Sequence, residues 1–207
     1  MSKLKVLDLF AGSKSFSKTA EKLGHITFAS DLKSFEGIDY AIDIMDFDPA
    51  KVPFKPDIIW ASPPCTCFSV ASIGHHWLPG RMPKTQAAIQ SIDIIKRTAW
   101  IIEQLDPQFY FIENPRGMLR TLPLLQHIPF LHTVTYCQYG DDRMKPTDIW
   151  TNSTRWMPKP KCSNGSPCHQ AAPRGARTGT QGKANAFERS KVPEALCIEI
   201  INSCTNE

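Results

Sequence analysis

The sequence predicts a single α/β domain, a mostly parallel sheet covered by helices on both faces. Three observations predict it. Short apolar runs of strand length alternate with helix-period stretches over residues 5–112. The runs close on Gly, Pro or acidic residues, as strands do at the rim of a parallel sheet. A chain of 207 residues holds one domain with a real core and is too short for two of ordinary size.

The elements follow in order. Lys5–Phe10 is a buried strand closed by Ala11-Gly12; Phe16, Ala20 and Leu23 then recur at helical spacing, and Gly24 ends that helix. Ile26–Ser30 is a strand closing on Asp31, and Asp57–Ala61 another closing on Ser62-Pro63-Pro64. Ala88, Ile92, Ile95, Ala99 and Ile102 put one apolar stripe on a helix over 84–105. Phe109–Ile112 is a strand closing on Glu113-Asn114-Pro115; further strands fall near 130–137 and 147–151, and a last helix near 193–204. Ligands of such sheets bind at the carboxyl ends of the strands. Asp31, the Pro63-Pro64-Cys65 turn and Glu113-Asn114 all lie at those ends. The predicted organisation is a core over 1–152, an irregular basic segment over 153–190, and a closing helix within 191–207 that packs back on the core. The 153–190 stretch holds Pro158, Pro160, Pro167 and Pro173, and sets Arg155, Lys159, Lys161, Arg174, Arg177, Lys183 and Arg189 against one acid, Glu188.

Composition sets outer bounds. Apolar residues make up 42% and charged residues 21%, which excludes wholesale disorder, and a net charge of +4 permits a polyanionic partner without requiring one. No apolar h-region follows the N-terminal lysines and no run reaches membrane-spanning length, so a cytoplasmic protein is expected. The seven cysteines form no disulfide framework and are expected as free thiols.

Two stretches carry chemistry. In Pro63-Pro64-Cys65-Thr66-Cys67-Phe68-Ser69 the prolines fix the backbone and present Cys65 at the sheet rim. A thiol there is a nucleophile if nearby charge lowers its pKa, and otherwise a small buried hydrophobe. Glu113 directly follows four apolar strand residues, so it either faces a cleft or forms an ion pair capping the next helix.

These motifs resemble those of the cytosine-C5 DNA methyltransferases over most of residues 4–152 and the final helix. Asp8-Leu9-Phe10-Ala11-Gly12 is similar to the family's cofactor motif, Pro63-Pro64-Cys65 with Phe68-Ser69 to its nucleophile motif, and Glu113-Asn114-Pro115 to its Glu-Asn-Val motif. Gln138-Tyr139-Gly140 with Arg143-Met144-Lys145 is similar to its basic strand motif, and Arg189–Pro193 faintly to its closing Gly-Asn-x-Val-Pro motif. The resemblance implies a Rossmann-like fold dependent on S-adenosylmethionine, with methyl transfer to C5 of a cytosine flipped out of double-stranded DNA. It assigns Cys65 as the nucleophile that adds to C6, and Glu113 as the group gripping the N3 and amino edge. Arg143, and Lys145 in place of a second arginine, would contact the base or its phosphate, with Pro64, Ser69 and Asn114 also toward the substrate. Phe10, Gly12, Asp31, Asp43, Ile44 and Pro63 would hold the cofactor; Asp31 and Asp43 also suit turn or helix-cap roles.

The chain departs from the family in two places. Lys14 and Ser15 stand where the family has glycines, so Lys14 is expected either at the cofactor carboxylate or in water; a P-loop is ruled out by the missing upstream Gly. A full target-recognition domain is absent, since 153–190 is too short to fold alone. Specificity is therefore expected to be short, read by this segment and the loop after Cys65 (His75, His76, Arg81, Lys84), although a partner subunit is the alternative. A monomer is the simplest expectation, and the compact form suggests a viral or mobile-element origin. Cys162, Cys168 and His169, with Cys137 or His132, offer a zinc clip, but their spacing fits no standard finger and free thiols are preferred, so no metal is expected. Two other functions compete: the same chemistry on free cytosine nucleotides or single strands, and a catalytically silent, DNA-binding or partner-activating relative.

Overall fold

A computed structural model describes residues 3–171 and 185–205. Pro173, Arg174, Arg177 and Lys183 of the basic segment lie outside these residues. The strands are β1 (Lys5–Leu9), β2 (Ile26–Asp31), β3 (Tyr40–Ala41), β4 (Ile58–Ala61), β5 (Trp77–Leu78), β6 (Met82–Pro83), β7 (Phe109–Pro115), β8 (Phe130–Thr135) and β9 (Pro146–Thr151). The helices are α1 (Ser15–Lys22), α2 (Ile73–His76), α3 (Gln86–Leu105), α4 (Ala186–Ser190) and α5 (Glu194–Cys204).

Seven strands form one sheet in the order β3-β2-β1-β4-β7-β9-β8, and β5 pairs with β6 in a separate hairpin. From β3 to β7 every pairing is parallel; β9 runs antiparallel to both β7 and β8. The reversal has a local cause. Only residues 136–145 separate β8 from β9, too few for the crossover that a parallel neighbour needs. The chain leaves β1 toward β2 and β3, then returns to β4 on the other side. The switch point of the sheet therefore lies between β1 and β4, where ligands of such sheets bind.

Both faces are apolar because successive strand residues point to opposite sides. Val6, Ile58, Trp60, Phe109 and Phe111 meet Phe16 and Ala20 of α1 and Leu196, Ile200 and Ile201 of α5. Leu7, Leu9, Ile59, Ala61 and Ile112 meet Ala88, Ile95 and Ile102 of α3. Phe16 stacks on Trp60 at 4.6 Å. The predicted stripe thus does bury α3, which Thr85 caps by accepting from the Ala88 N–H. Trp156 is also buried in the α1–α5 core and donates to Glu199 Oε1 at 3.0 Å, which ties the start of the 153–190 stretch to the body of the fold. No helix among the described residues is long and apolar enough to cross a membrane.

One buried charge sits inside this framework. Asp8 Oδ2 accepts from the Ser17 N–H at 3.1 Å and from the Ser17 hydroxyl, joining β1 to α1. Burial raises its pKa from 3.8 to about 6, against the opposing Ser17 hydrogen bonds and the Lys14 charge. A raised carboxyl pKa means the native state holds the proton more tightly than the unfolded chain. Its contribution is fully present below about pH 4 and is lost as pH rises through about 6. Asp8→Asn keeps an acceptor for Ser17 but cannot ionise. Unfolding free energies of the two proteins should therefore diverge by up to about 3 kcal/mol between those pH values, the wild type losing ground. A difference that stays constant with pH in urea titrations would contradict this.

Candidate active site

The rim at the switch point begins where β1 ends. Phe10 takes φ 59°, Gly12 φ 44° and Lys14 φ 56°, a run of left-handed residues that wraps the chain tightly before α1. The Gly12 N–H donates to Asp31 Oδ2 at 2.9 Å, and Asp31 Oδ1 accepts from the Lys33 N–H at 3.0 Å. Lys14 neither projects to water nor stands free. It is 8% exposed, its Nζ lies 3.1 Å from Glu21 Oε1, and its stem fills the space beside Gly37. The altered glycine turn is thereby kept in shape by an ion pair. A cleft of about 480 Å³ opens here, lined by Gly12, Ser13, Lys18, Phe35 and Phe187 among others, a size typical of small-molecule sites. Asp43 is exposed and accepts from the Met45 N–H at 2.9 Å, a capping role, while Ile44 is buried in the α3-side core.

The nucleophile loop follows β4. Parallel pairing of Ala61 with Ile112 brings the residues after β4 beside Glu113 and Asn114. Asn114 is fully buried and donates from Nδ2 to the Pro63 carbonyl at 2.9 Å; its Oδ1 finds no hydrogen-bond partner among the described residues. Asn114, expected to face the substrate, instead clamps the loop, and Pro63 is buried under that clamp. Pro64 is exposed and Cys65 half-buried. The Cys65 carbonyl accepts from the Phe68 and Ser69 N–H groups at 3.0 and 2.9 Å, closing a turn around the thiol. Ser69 Oγ lies 3.0 Å from Ser72 Oγ, which points it toward its own loop. Trp77 Nε1 donates to the Cys67 carbonyl at 2.7 Å and anchors the loop's far side. Gly117, not singled out in the sequence, is essential to the geometry. The Met118 N–H donates to the Phe68 carbonyl at 2.7 Å, and a Cβ at 117 would lie 2.1 Å from that same oxygen. Its signal was its place directly after Glu113-Asn114-Pro115-Arg116.

Opposite Cys65 stands a buried polar cluster. Glu113, 5% exposed, accepts from the Tyr136 hydroxyl at 2.9 Å and lies 3.9 Å from Lys145 Nζ. Burial and the Glu113 carboxylate hold the Tyr136 phenol well above its usual range, so it remains a donor. Lys145 lies over the Tyr136 ring at 4.4 Å and donates to the Arg189 carbonyl at 3.0 Å. Burial lowers its pKa, with Glu113 and Cys65 pulling the other way. For Cys65 the sequence left open a thiol with a charge-lowered pKa or a small buried hydrophobe. Burial, then the Glu113 charge, raises its pKa, and Lys145 and Arg189 only partly oppose.

The expectation for Arg143 is corrected. It is 2% exposed and spends its guanidinium on Asp141, through Nε at 2.8 Å and through Nη2, and on the carbonyls of Glu188 and Arg189 at 3.3 Å. It pins the 188–191 backbone; Lys145, not Arg143, is the cation that faces Glu113 and Cys65.

Fold and rim together define a Rossmann-like methyltransferase: a switch-point cleft, a strand-end thiol and a strand-end acid on adjacent strands. Residues 4–128 match the family described as C-5 cytosine-specific DNA methylase, and the chain belongs to that family. It is 28% identical over 221 residues to a protein of Frog virus 3 (isolate Goorha) named "Probable DNA (cytosine-5)-methyltransferase", covering 97% of this chain and all of that one. In fold it is similar to the methyltransferase EhMeth of Entamoeba histolytica, at TM-score 0.55 and 11% identity, over 75% of this chain and 55% of the other. The chain thus spans little more than half the length of that solved relative.

Two outcomes follow from the site. Gly117→Ala should cost about 1–3 kcal/mol by forcing its Cβ against the Phe68 carbonyl, seen as a lower thermal midpoint; an unchanged midpoint would show that the loop yields freely. Peptide-resolved iodoacetamide labelling should find Cys65 alkylated several-fold faster in Glu113→Gln and several-fold slower in Lys145→Met than in wild type. Equal rates in all three would show that these charges do not govern the thiol.

Proposed function

We propose that the protein transfers a methyl group from S-adenosylmethionine to C5 of a cytosine extruded from DNA, with Cys65 as covalent nucleophile. The observation that carries this reading is that Cys65 follows β4 while Glu113 lies at the end of its paired strand β7 with Lys145 Nζ at 3.9 Å, on the same strand-end rim as the Gly12–Asp31 turn. A purely binding relative has no use for a half-buried thiol on the same rim as a buried acid and its cation.

The cleft suits the cofactor on its donor set. Gly12 leaves the backbone open to a ligand, Lys18 is available to a carboxylate, Phe35 offers an apolar face to a purine, and Asp31 keeps lone pairs for ribose hydroxyls beyond its two backbone contacts. S-adenosylmethionine, when bound, supplies an electrophilic methyl group. The chain supplies the rest. Cys65 Sγ forms a bond to C6 as its proton passes to the Glu113 carboxylate and on to N3, so the ring becomes electron-rich at C5 without a net charge accumulating. Tyr136 holds Glu113 in orientation, and Lys145 stabilises the sulfur whenever it is anionic. After C5 is methylated its proton is taken up by water, the Sγ–C6 bond breaks with its electrons on sulfur, and the N3 proton returns through Glu113 to the Cys65 thiolate.

DNA as substrate is supported by the basic segment and by the loop after Cys65. That loop exposes Val70, Leu78 and Met82 together with Arg81 and Lys84, apolar wedges among cations suited to a distorted duplex. With so small a recognition element the target site is short. Incorporation of labelled methyl groups into unmethylated DNA tests the reading. Cys65→Ala should abolish transfer, and Glu113→Gln should lower it on the order of 10²- to 10⁴-fold. Transfer by Cys65→Ala at the wild-type rate would overturn the covalent route. DNA affinity should fall steeply with salt; salt-independent binding would favour a free nucleotide instead.

A further inference from the structure

Three thiols and an imidazole converge away from the active site, where the start of the basic segment meets the turn after β8. Cys137 Sγ lies 3.1 Å from Cys162 Sγ and 3.5 Å from Cys168 Sγ. His169 Nδ1 lies 3.7 Å from Cys162 Sγ and 3.6 Å from Cys168 Sγ. All four donor atoms fall within 4.8 Å of one another. A tetrahedron with zinc–sulfur bonds of about 2.3 Å has sulfur–sulfur edges of about 3.8 Å, so the four atoms already sit close to that arrangement. His132, the other candidate fourth ligand, is elsewhere: its ring packs edge-on against Trp156 at 5.3 Å.

We propose that Cys137, Cys162, Cys168 and His169 bind a structural zinc ion. Four protein ligands close the coordination sphere, which suits a structural rather than a catalytic ion. The ligands are held from outside as well. The Cys162 N–H donates to Thr135 Oγ1 at 3.0 Å, Gln138 Nε2 lies 3.5 Å from Cys168 Sγ, and the Gln170 N–H donates to the Asp142 carbonyl at 2.9 Å. Cys168 and His169 are neighbours, an awkward spacing in sequence. A turn with Gly165 at φ 82° and Pro167 reverses the chain just before them, and both side chains reach the same centre.

A disulfide is the competing use of these sulfurs. It would join one pair and leave the third thiol and the imidazole converging for no purpose, whereas zinc uses all four. Binding replaces the three thiol protons with metal bonds and releases those protons; no oxidant is needed. The ion would fasten the basic segment to the Tyr136–Tyr139 turn, and Tyr136 is the residue that holds Glu113. A segment too short to fold alone thereby gains the staple that such units need.

The test is metal analysis of tag-free protein purified under reducing conditions without chelator. One zinc per chain is expected, with cobalt replacement giving the thiolate-to-metal charge-transfer band of a sulfur-rich tetrahedral site. Cys168→Ser changes an exposed side chain and should lose most of the zinc while circular dichroism stays native; Cys204→Ser, a thiol outside the cluster, should keep it. Metal-free protein that takes up no zinc on reconstitution would overturn the proposal. So would full zinc retention in Cys168→Ser, or a Cys137–Cys162 disulfide found by mass mapping of protein never exposed to oxidant.

Discussion

The parallel register between β4 and β7 is the constraint from which the site follows. Ile58 to Ala61 pair with Phe109 to Ile112, so each strand delivers its first residues beyond the core at the same height. A slip of one residue would turn Ile59 and Ala61 out of the α3 face and put Trp60 in their place, a change of bulk that the close packing against α3 does not accommodate. Hydrophobic packing therefore decides where Cys65 and Glu113 stand, before either makes a contact of its own. The Asn114–Pro63 hydrogen bond and the close approach of Gly117 to Phe68 then turn that proximity into a fixed geometry.

The electrostatics of the cluster reflect a balance that burial dominates. Desolvation pushes the Cys65 thiol up and the Lys145 ammonium down, toward the neutral form of each. Both shifts disfavour the charged forms, the thiolate and the ammonium alike. Lys145 and Glu113 act on the sulfur with opposite sign, so a ligand that satisfies the acid removes the charge that most disfavours the thiolate. Ionisation of the Cys65 thiol is in this way coupled to what occupies the space beside Glu113.

Much of this was legible in the sequence, for physical reasons. The strands and α3 were readable because burial on both faces imposes an apolar pattern, and the rim followed because polar residues at strand ends have nowhere else to go. What escaped depends on chain direction within turns. Arg143 and Lys145 are two residues apart, and nothing in their spacing says which one faces inward. The backbone decides it: Lys145 takes φ 29°, while Asp141 captures the Arg143 guanidinium. Lys14 escaped for the same reason, since its left-handed φ lets a side chain occupy a glycine position and fold back on Glu21. Asn114 read as a substrate contact because it neighbours Glu113. In a strand, however, neighbours face opposite ways, so one side chain meets the cleft and the next meets the loop.

The basic segment, in its described residues, is held without a domain of its own. It borrows structure at both ends. Trp156 is buried beneath α5, and Glu199 accepts from both Trp156 Nε1 and the Tyr139 hydroxyl, while the Lys159 N–H donates back to Tyr139. Beyond the residues described in its middle, Arg143 and Lys145 hold the 188–191 carbonyls against the core. The Cys137–Cys162–Cys168–His169 cluster falls between these two anchorages, at the point where neither reaches. Arg143 and Lys145, cations expected at the base or its phosphate, are thereby turned to holding backbone carbonyls of the chain itself. The described parts of the basic segment are thus built onto the sheet that carries Glu113, through the Tyr136–Tyr139 turn that follows β8.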